Sequence, residues 1–219
     1  MLIQWKRRRL RMAAALTLGL ALVAPRAHAL TLADLDAGGS FSVGSLLFSG
    51  FDVSAAGDIS LDLADYPVQL LSDGFRLSGP LSVLLGDAGT LLISYTVSAL
   101  DPILVGASVS ASGVAIGTGS QAWAGESLFD AANLPIGALF VYAIDGVGTV
   151  PFDSANFAAT SLVNVAKTIH LESDLFAALP VIDQRFLVVP EPLTLALLAL
   201  GLGGLAWWGR WHEVPGRRA

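Results

Sequence analysis

Hydrophobic residues recur with a period of two along most of residues 30–187, and this alternation limits the folds open to the chain more than any other feature. The runs 90–97 and 163–171 both place apolar side chains at odd positions, with Lys167 as the exception. Such alternation is typical of β-strands with one buried face. Clusters of Gly, Asp and Pro interrupt the runs every eight to fifteen residues or so. The pattern therefore predicts an all-β fold, a single antiparallel β-sandwich.

Three segments depart from simple alternation. Residues 126–133 and 173–179 each end before a proline, where helices tend to stop, and each could be a one- or two-turn helix. Residues 106–120 are poor in large side chains. One interpretation is a self-association strand, because small side chains allow sheets to approach closely. We prefer a flat strand beside a bulky neighbour, followed by a turn at Gly117 and Gly119.

The charge and composition of the central span exclude several kinds of partner and site. Residues 30–189 include three cationic and sixteen acidic residues, a formal charge of −13 compared with −6 for the whole chain. An acidic surface repels nucleic acid and other anionic polymers, so we expect no nucleic-acid partner. The chain has no cysteine, which excludes disulfides, thiolate metal sites and a cysteine nucleophile.

The central span has no recognisable catalytic set. His170 is its only histidine and lies in an alternating run, so an ordinary strand histidine is favoured over the base of a Ser-His-Asp triad. A single histidine excludes a multi-histidine zinc site, and the acidic residues lack the spacing of a calcium loop. We therefore expect a non-enzymatic protein with no catalytic residues, no metal and no cofactor.

Two alternatives to a non-enzymatic surface or matrix protein stay open. One is a secreted polysaccharide hydrolase that uses two carboxylates, although the sequence does not single out a pair. The other is a carbohydrate-binding module in which Trp123 and Tyr142 stack on sugar rings. For both aromatic residues the sequence favours packing in the core.

The first 29 residues have the three parts of a secretory signal peptide. Five of the six residues from Lys6 to Arg11 are cationic, an apolar run of about thirteen residues follows, and Ala27 and Ala29 occupy the cleavage-site positions. The apolar run is shorter than the ~20 residues of a spanning helix, which disfavours the alternative, an uncleaved anchor. We expect an N-terminal signal helix that is removed by cleavage after Ala29.

Residues 193–208 form a second uncharged segment, sixteen residues long with seven leucines. As a helix it would be ~24 Å long, a little short of the ~30 Å hydrocarbon core of a membrane. The residues expected to anchor it are Leu193, Leu200, Trp207, Trp208 and Arg210. Tryptophan suits the membrane interface and arginine can extend to water, so the segment predicts a C-terminal transmembrane helix in the inner membrane. A buried amphipathic helix is disfavoured because apolar residues surround the segment on all sides.

Pro190, Glu191 and Pro192 stand directly before this segment, and arginines follow it. A Pro-Glu-Pro motif, an uncharged helix and a basic tail in this order resemble the PEP-CTERM sorting signal, which is found on exported proteins of Gram-negative bacteria that make exopolysaccharide. The resemblance covers residues 189–212 and departs from the family pattern in the six residues between Arg210 and Arg217. It implies recognition by exosortase, a membrane protease-transpeptidase, and processing near the motif.

The two prolines have a physical role in this interpretation. Each lacks an N–H and fixes φ, so Pro190 and Pro192 keep the peptide extended and non-helical. An extended peptide can enter a protease groove, and Glu191 supplies one charge for a basic pocket. The alternative is a stiff linker before a permanent anchor.

These features divide the chain into four parts, which are a signal peptide (1–29), an extracytoplasmic β-sandwich (30–187), a sorting and anchor segment (188–212) and a cytoplasmic tail (213–219). We expect an intermediate anchored in the inner membrane, and then a protein of the cell surface or extracellular matrix. The expected partners are an exosortase-type protease and exopolysaccharide.

Overall fold

The computed structural model describes residues 29–99 and 103–189, together with four leucines of the tail. Over residues 29–99 and 103–189 the chain forms thirteen β-strands, one short α-helix and one 3-10 turn at Leu63–Asp65, and the four tail leucines are helical. The helix is α1 (Leu32–Asp36). The strands are β1 (Phe41–Val43), β2 (Leu46–Gly57), β3 (Val68–Leu70), β4 (Gly74–Ser78), β5 (Ser82–Leu84), β6 (Ala88–Ala99), β7 (Ile103–Ile116), β8 (Gln121–Phe129), β9 (Pro135–Ile144), β10 (Gly148–Val150), β11 (Phe152–Thr160), β12 (Leu162–Glu172) and β13 (Phe176–Val189).

The strands form two sheets in which every pairing is antiparallel. The seven-stranded sheet has the order β1-β2-β6-β12-β8-β9-β10. The six-stranded sheet has the order β11-β7-β13-β4-β3, and β5 also pairs with β13. The prediction of an all-β antiparallel sandwich is therefore confirmed. The two predicted flanking helices lie largely outside the described residues.

The core lies between the inner faces of the two sheets, and the sequence alternation accounts for it. On β6 the odd-numbered side chains from Leu91 to Val97 are buried, whereas Leu92 between them is exposed. On β12 the buried side chains again occupy odd positions, and Lys167 is buried with its apolar neighbours. Burying a large apolar side chain contributes about 1.5–3 kcal/mol to the stability of the folded state. A shift of the strand register by one residue would turn these side chains to solvent and would be strongly disfavoured.

A cluster of aromatic rings fills the middle of the sandwich. Its members come from both sheets and are Phe41, Phe48, Phe51, Phe75, Tyr95 and Phe186. Phe75 contacts several of the other rings edge to face, including that of Tyr95, whose centroid lies 5.6 Å away. Edge-to-face contacts are favourable because the positive edge of one ring meets the negative face of another.

Helix α1 is short but well capped, and it covers part of this core. The Thr31 Oγ1 oxygen accepts a hydrogen bond from the Asp34 N–H, and the Asp34 carboxylate accepts one from the Thr31 N–H. This reciprocal pair satisfies donors that a helix start leaves unpaired. Leu32 and Leu35 are buried as a result.

The two short helices predicted at 126–133 and 173–179 are wrong. Residues up to Phe129 belong to β8, which pairs with β9 on one side and β12 on the other, and a turn held by the Asp130 carboxylate follows. Residues 176–179 begin β13, which pairs with β5 and β7. Short apolar runs do not distinguish helix from strand, so the available pairing partners decide.

The preferred interpretation of residues 106–120 is confirmed. Most of the segment belongs to β7, which lies between β11 and β13, and Gly117 and Gly119 adopt positive φ in the turn that follows. The small side chains leave room for the opposite side of the sandwich. A Cβ atom added at Gly113 would lie 3.3 Å from the Ala143 Cβ atom of the opposite sheet, and 2.6 Å from the Leu179 Cδ2 atom of the neighbouring strand β13. From Leu104 to Ser110 both edges of β7 are paired within the chain, with β11 on one side and β13 on the other, so this part of the strand is closed to self-association.

Candidate functional site

Four ring side chains lie together on the outer, solvent-facing side of the seven-stranded sheet. They are Trp123 from β8, Phe140 and Tyr142 from β9, and His170 from β12. We call this group the aromatic face. His170 and Tyr142 pair with Trp123 from opposite sides in the strand register, so three rings form a row across the sheet. The row spans two strand spacings, or about 10 Å.

The rings of the aromatic face contact one another and tilt. The Trp123 centroid lies 5.5 Å from that of Phe140 and 5.3 Å from that of His170. The Phe140 and Tyr142 centroids are 5.7 Å apart. The interplanar angles lie between 36° and 42°. Phe140 remains 43 % exposed, although its size and apolar character favour burial.

Gly125 provides the space in which two of these rings lie over the sheet. It is the outward-facing residue of β8 that pairs with Phe140. A Cβ atom added there would be 3.4 Å from the Phe140 Cδ2 atom and 3.5 Å from the Trp123 Cζ3 atom. Without a side chain at this position, both rings can lean over the backbone, and their outer surfaces are presented to solvent.

A polar border runs along one side of the aromatic face. The His170 Nδ1 atom is 3.0 Å from the Thr90 hydroxyl oxygen. The Gln121 amide donates a 2.6 Å hydrogen bond to the Glu172 carboxylate, which also lies 3.8 Å from His170 Nε2. The border therefore combines hydroxyl, amide, imidazole and carboxylate groups beside an apolar surface. An exposed apolar patch rimmed by polar groups is typical of an interaction site.

Asp153 closes the other side of the face, next to Phe140. One of its carboxylate oxygens accepts a hydrogen bond from the Phe140 N–H, and the other accepts one from the Ser154 N–H, both at 2.8 Å. This carboxylate therefore fixes the edge between β9 and β11. Both acidic groups at the face, Glu172 and Asp153, already accept hydrogen bonds from protein groups.

The expectation that Trp123 and Tyr142 pack in the core is wrong. On β8 the inward positions belong to Ala122, Ala124, Glu126 and Leu128, so Trp123 points outward. On β9 the inward positions are Leu139, Val141 and Ala143, which places Phe140 and Tyr142 on the outer side. His170 lies within β12, as its alternating run predicts, beside Thr90 and Glu172.

A second concave region lies on the outer side of the six-stranded sheet. It is a cavity of about 240 Å³ lined by residues of β7, β11 and β13, including the exposed ring of Phe152. Its floor includes Arg185, whose Nη1 atom lies 2.7 Å from the Asp73 carboxylate. Of the two phenylalanines in its lining, Phe186 is buried and only Phe152 is exposed, in contrast to the four rings of the aromatic face.

Neither a metal site nor a membrane span is found among the described residues. No three of their His, Asp or Glu side chains come together in a way that could hold a metal ion. Over the same part of the chain, no helix combines the length and the apolar character needed to cross a membrane.

The residues predicted for sorting fall mostly outside the described part of the chain. Ala29 is its first residue and is exposed, and Leu200 is helical and exposed. The other residues predicted for cleavage, sorting and anchoring lie outside it, namely Ala27, Pro190, Glu191, Pro192, Leu193, Trp207, Trp208 and Arg210. Strand β13 ends at Val189, so the Pro-Glu-Pro motif follows the last strand directly.

Comparison with known proteins gives no family for this chain. No family model and no curated protein matches it. Among solved structures, TmCBM61 in complex with β-1,4-galactotriose matches with 11 % identity and a TM-score of 0.35, covering 64 % of this chain and 88 % of that chain. A carbohydrate-binding module from Cellvibrio mixtus lichenase 5A, in complex with cellotriose, has 12 % identity and a TM-score of 0.25, with 60 % and 86 % covered.

An enzyme domain is also among the matching structures. The enzymatically active domain of bacteriophage CBA120 tailspike protein 4 has 13 % identity and a TM-score of 0.30. The match covers 64 % of this chain and 19 % of the tailspike chain. At these scores the similarity carries no argument about function, so the function must be argued from the aromatic face itself.

Proposed function

We propose that the β-sandwich is a non-catalytic domain that binds a neutral polysaccharide through the aromatic face. The observation that carries this proposal is the row of contacting, solvent-facing rings around Trp123 with a polar border beside it. Exposed apolar patches on a folded domain usually mark an interaction site. The mixture of apolar rings and hydrogen-bonding groups matches the two surfaces of a sugar.

A pyranose ring has apolar C–H faces and a rim of hydroxyl groups. The C–H face can pack on the Trp123 ring, where burial of apolar area and weak C–H contacts favour binding. The hydroxyl rim can then exchange hydrogen bonds with Gln121, His170 and Glu172 at the border. The sheet face is open, and its row of rings spans two strand spacings, or about 10 Å. It therefore suits binding along the middle of a polysaccharide chain better than enclosing the end of one.

The charge of the domain favours a neutral ligand. Residues 30–189 carry a formal charge of −13, which repels polyuronates and other anionic chains. Glu172, with its side chain 54 % exposed, adds a negative group directly at the border of the face. A neutral glucan or galactan meets no such repulsion.

A hydrolase is the competing interpretation, since Glu172 and Asp153 border the same face. Glycoside hydrolysis needs one carboxyl group as acid and a second as base or nucleophile. Asp153 accepts hydrogen bonds from two backbone N–H groups, which commits both of its oxygens to structure. This arrangement favours binding without turnover.

We also propose that the domain is exported and sorted. The support is the sequence of the two chain ends, and the position of Pro190, Glu191 and Pro192 directly after β13. In this proposal residues 188–212 form a PEP-CTERM-type segment that holds the protein in the inner membrane until exosortase processes it. The sandwich then reaches the cell surface or matrix, where it binds exopolysaccharide.

Affinity gel electrophoresis of the purified protein tests the binding proposal. Gels would contain a neutral β-glucan, a neutral galactan or a polyuronate, and reducing ends would be measured in parallel. Retardation by a neutral polymer without new reducing ends is the expected result. New reducing ends would favour the hydrolase, and migration unaffected by every polymer would contradict both interpretations.

A further inference from the structure

A polar cluster is buried at the centre of the sandwich, and the aromatic face does not use it. Lys167 on β12 and Glu126 on β8 are opposite each other in the strand register, with Nζ and Oε1 2.6 Å apart. Their side chains are 1 % and 0 % exposed. From the opposing sheet, Gln184 on β13 places its Oε1 atom 3.0 Å from the same Nζ atom.

The surroundings of this cluster are apolar. The Lys167 Nζ atom lies 5.9 Å from the centre of the Phe75 ring, and Gln184 pairs with Phe75 and Val109 in the strand register. The ring of Tyr95 is buried nearby, and its pKa is raised well above the usual value by burial and then by Glu126. The amine, the carboxylate and the amide are thus enclosed together, away from bulk water.

Several atoms of the cluster lack ordinary partners. Within the part of the chain that the structure describes, Gln184 Nε2 and Glu126 Oε2 make no hydrogen bond. Buried polar atoms of this kind are rare in folded proteins because each loses its hydration without replacement. A reaction that expelled the Gln184 amide nitrogen would remove one of these unpaired groups.

We propose that Lys167 and Gln184 form an intramolecular isopeptide bond, with Glu126 as the group that transfers the protons. Glu126 first accepts one proton from the Lys167 ammonium, which leaves a neutral amine. The lone pair of Nζ then attacks the Gln184 Cδ atom, which is bonded to the amide oxygen at ~1.23 Å. The C–N bond forms while the electron pair of the C=O bond moves to the oxygen.

The intermediate collapses when the C=O bond forms again and the bond from Cδ to Nε2 breaks. Glu126 gives its proton to the departing nitrogen, then accepts one of the two protons on Nζ and passes it on as well. Ammonium leaves, the new amide keeps one N–H, and the carboxylate is restored. The atoms balance without an oxidant or an added reactant. A carboxylate within 2.6 Å of the amine is suitably placed for both transfers.

The bond would join the two sheets through the core, from β12 to β13. The chain has no cysteine and so has no disulfide to link them. Residues 30–189 also include a single lysine, which is Lys167, so any isopeptide bond from a lysine of this domain must start there.

Mass spectrometry of the intact purified chain and its peptides tests the proposal. The wild-type chain is expected to be lighter by one ammonia, about 17 Da, with the loss assigned to a peptide that joins Lys167 to Gln184. After denaturation, an amine-reactive reagent should leave Lys167 unmodified. Glu126→Gln should show the full mass and a reactive Lys167, whereas Gln121→Ala, which changes a glutamine of the aromatic border, should retain the loss.

The wild-type measurement decides the matter even where Glu126→Gln fails to fold. A wild-type chain with full mass and a fully reactive Lys167 would overturn the proposal. This outcome is independent of polysaccharide binding, because Lys167, Glu126 and Gln184 lie in the core and not on the aromatic face.

Discussion

Arg76 and Asp183 face each other directly across β4 and β13 and form two parallel hydrogen bonds. The Arg76 Nε atom lies 2.6 Å from one carboxylate oxygen, and Nη2 lies 2.9 Å from the other. This bidentate geometry gives the ion pair a defined orientation in addition to the electrostatic attraction. The hydrogen bond from Arg76 is the largest influence on the pKa of Asp183 and holds it below its usual value. Burial acts in the opposite direction, and the nearby charges of Arg76 and Arg185 lower the pKa further.

This lowered pKa predicts how stability depends on pH. Because the folded Asp183 holds its proton less tightly than the unfolded one, the stabilisation is complete above the unfolded pKa of about 3.9 and is lost as pH falls through the folded pKa. Arg76→Gln should therefore be less stable than wild type at pH 7, and the difference should fade below about pH 4. Urea unfolding between pH 7 and pH 2 measures it. In an Asp183→Asn background, Arg76→Gln should produce no such pH-dependent difference.

Trp123→Ala should weaken binding of a neutral polysaccharide without unfolding the domain. Trp123 is the central ring of the aromatic face, and central aromatic residues of an interface often contribute about 2 kcal/mol or more, which is roughly a 30-fold loss of affinity. Phe152→Ala is the matched control, because Phe152 is an exposed ring on the other sheet. Equal losses of affinity in both variants, measured by affinity electrophoresis, would show that polysaccharide binding does not depend specifically on the aromatic face.

Gly74→Ala should be strongly destabilising. An added Cβ atom would lie only 1.8 Å from the Gln184 backbone oxygen, where β4 pairs with β13, so the backbone of one strand must move. We expect a loss of about 3 kcal/mol or more in the free energy of unfolding. Gly125→Ala, whose Cβ atom would make ordinary contacts of 3.4 Å or longer, should change stability by less than about 1 kcal/mol. Similar urea midpoints for the two variants would contradict this prediction.

Glu191→Ala should block sorting and leave export intact. A carboxylate fixed between two prolines is a distinctive feature for a protease, whereas the seven leucines after it resemble any other anchor. The variant should accumulate in the inner membrane as a signal-cleaved, full-length chain, detected by cell fractionation and intact mass. Glu213→Ala changes a carboxylate outside the motif and should be processed normally. Wild-type processing of Glu191→Ala would favour the stiff-linker interpretation.

The sequence alone predicts the strands in which apolar and polar side chains alternate along the whole length. On β6 and β12 the period-two alternation alone was sufficient, because each strand has one buried and one exposed face over its full length. The segments 126–133 and 173–179 were harder, because short apolar runs fit a helix or a strand equally well. Only the pairing of β8 and β13 with strands distant in sequence decides between them.

The aromatic face could not be predicted from the sequence, for a related reason. Trp123, Phe140 and His170 lie on three strands, and their proximity depends on the register of β8 against β9 and β12. The buried face of each strand disfavours a shift by one residue, but the local sequence does not show which distant strands become neighbours or which of their residues pair. The buried Lys167 was visible as an exception in its strand, but its partners Glu126 and Gln184 come from two other strands.

The strand order also determines when the domain can fold. The last two strands of the described chain, β12 and β13, occupy interior positions in the two sheets, between β6 and β8 and between β7 and β4. A nascent chain that ends before residue 162 therefore has two incomplete half-sheets on each side of the sandwich, with unpaired edges on β4, β6, β7 and β8. Open edges of this kind promote aggregation. Both sheets therefore become continuous only when the chain has been made as far as Val189, and until then their inner edges depend on protection from other chains.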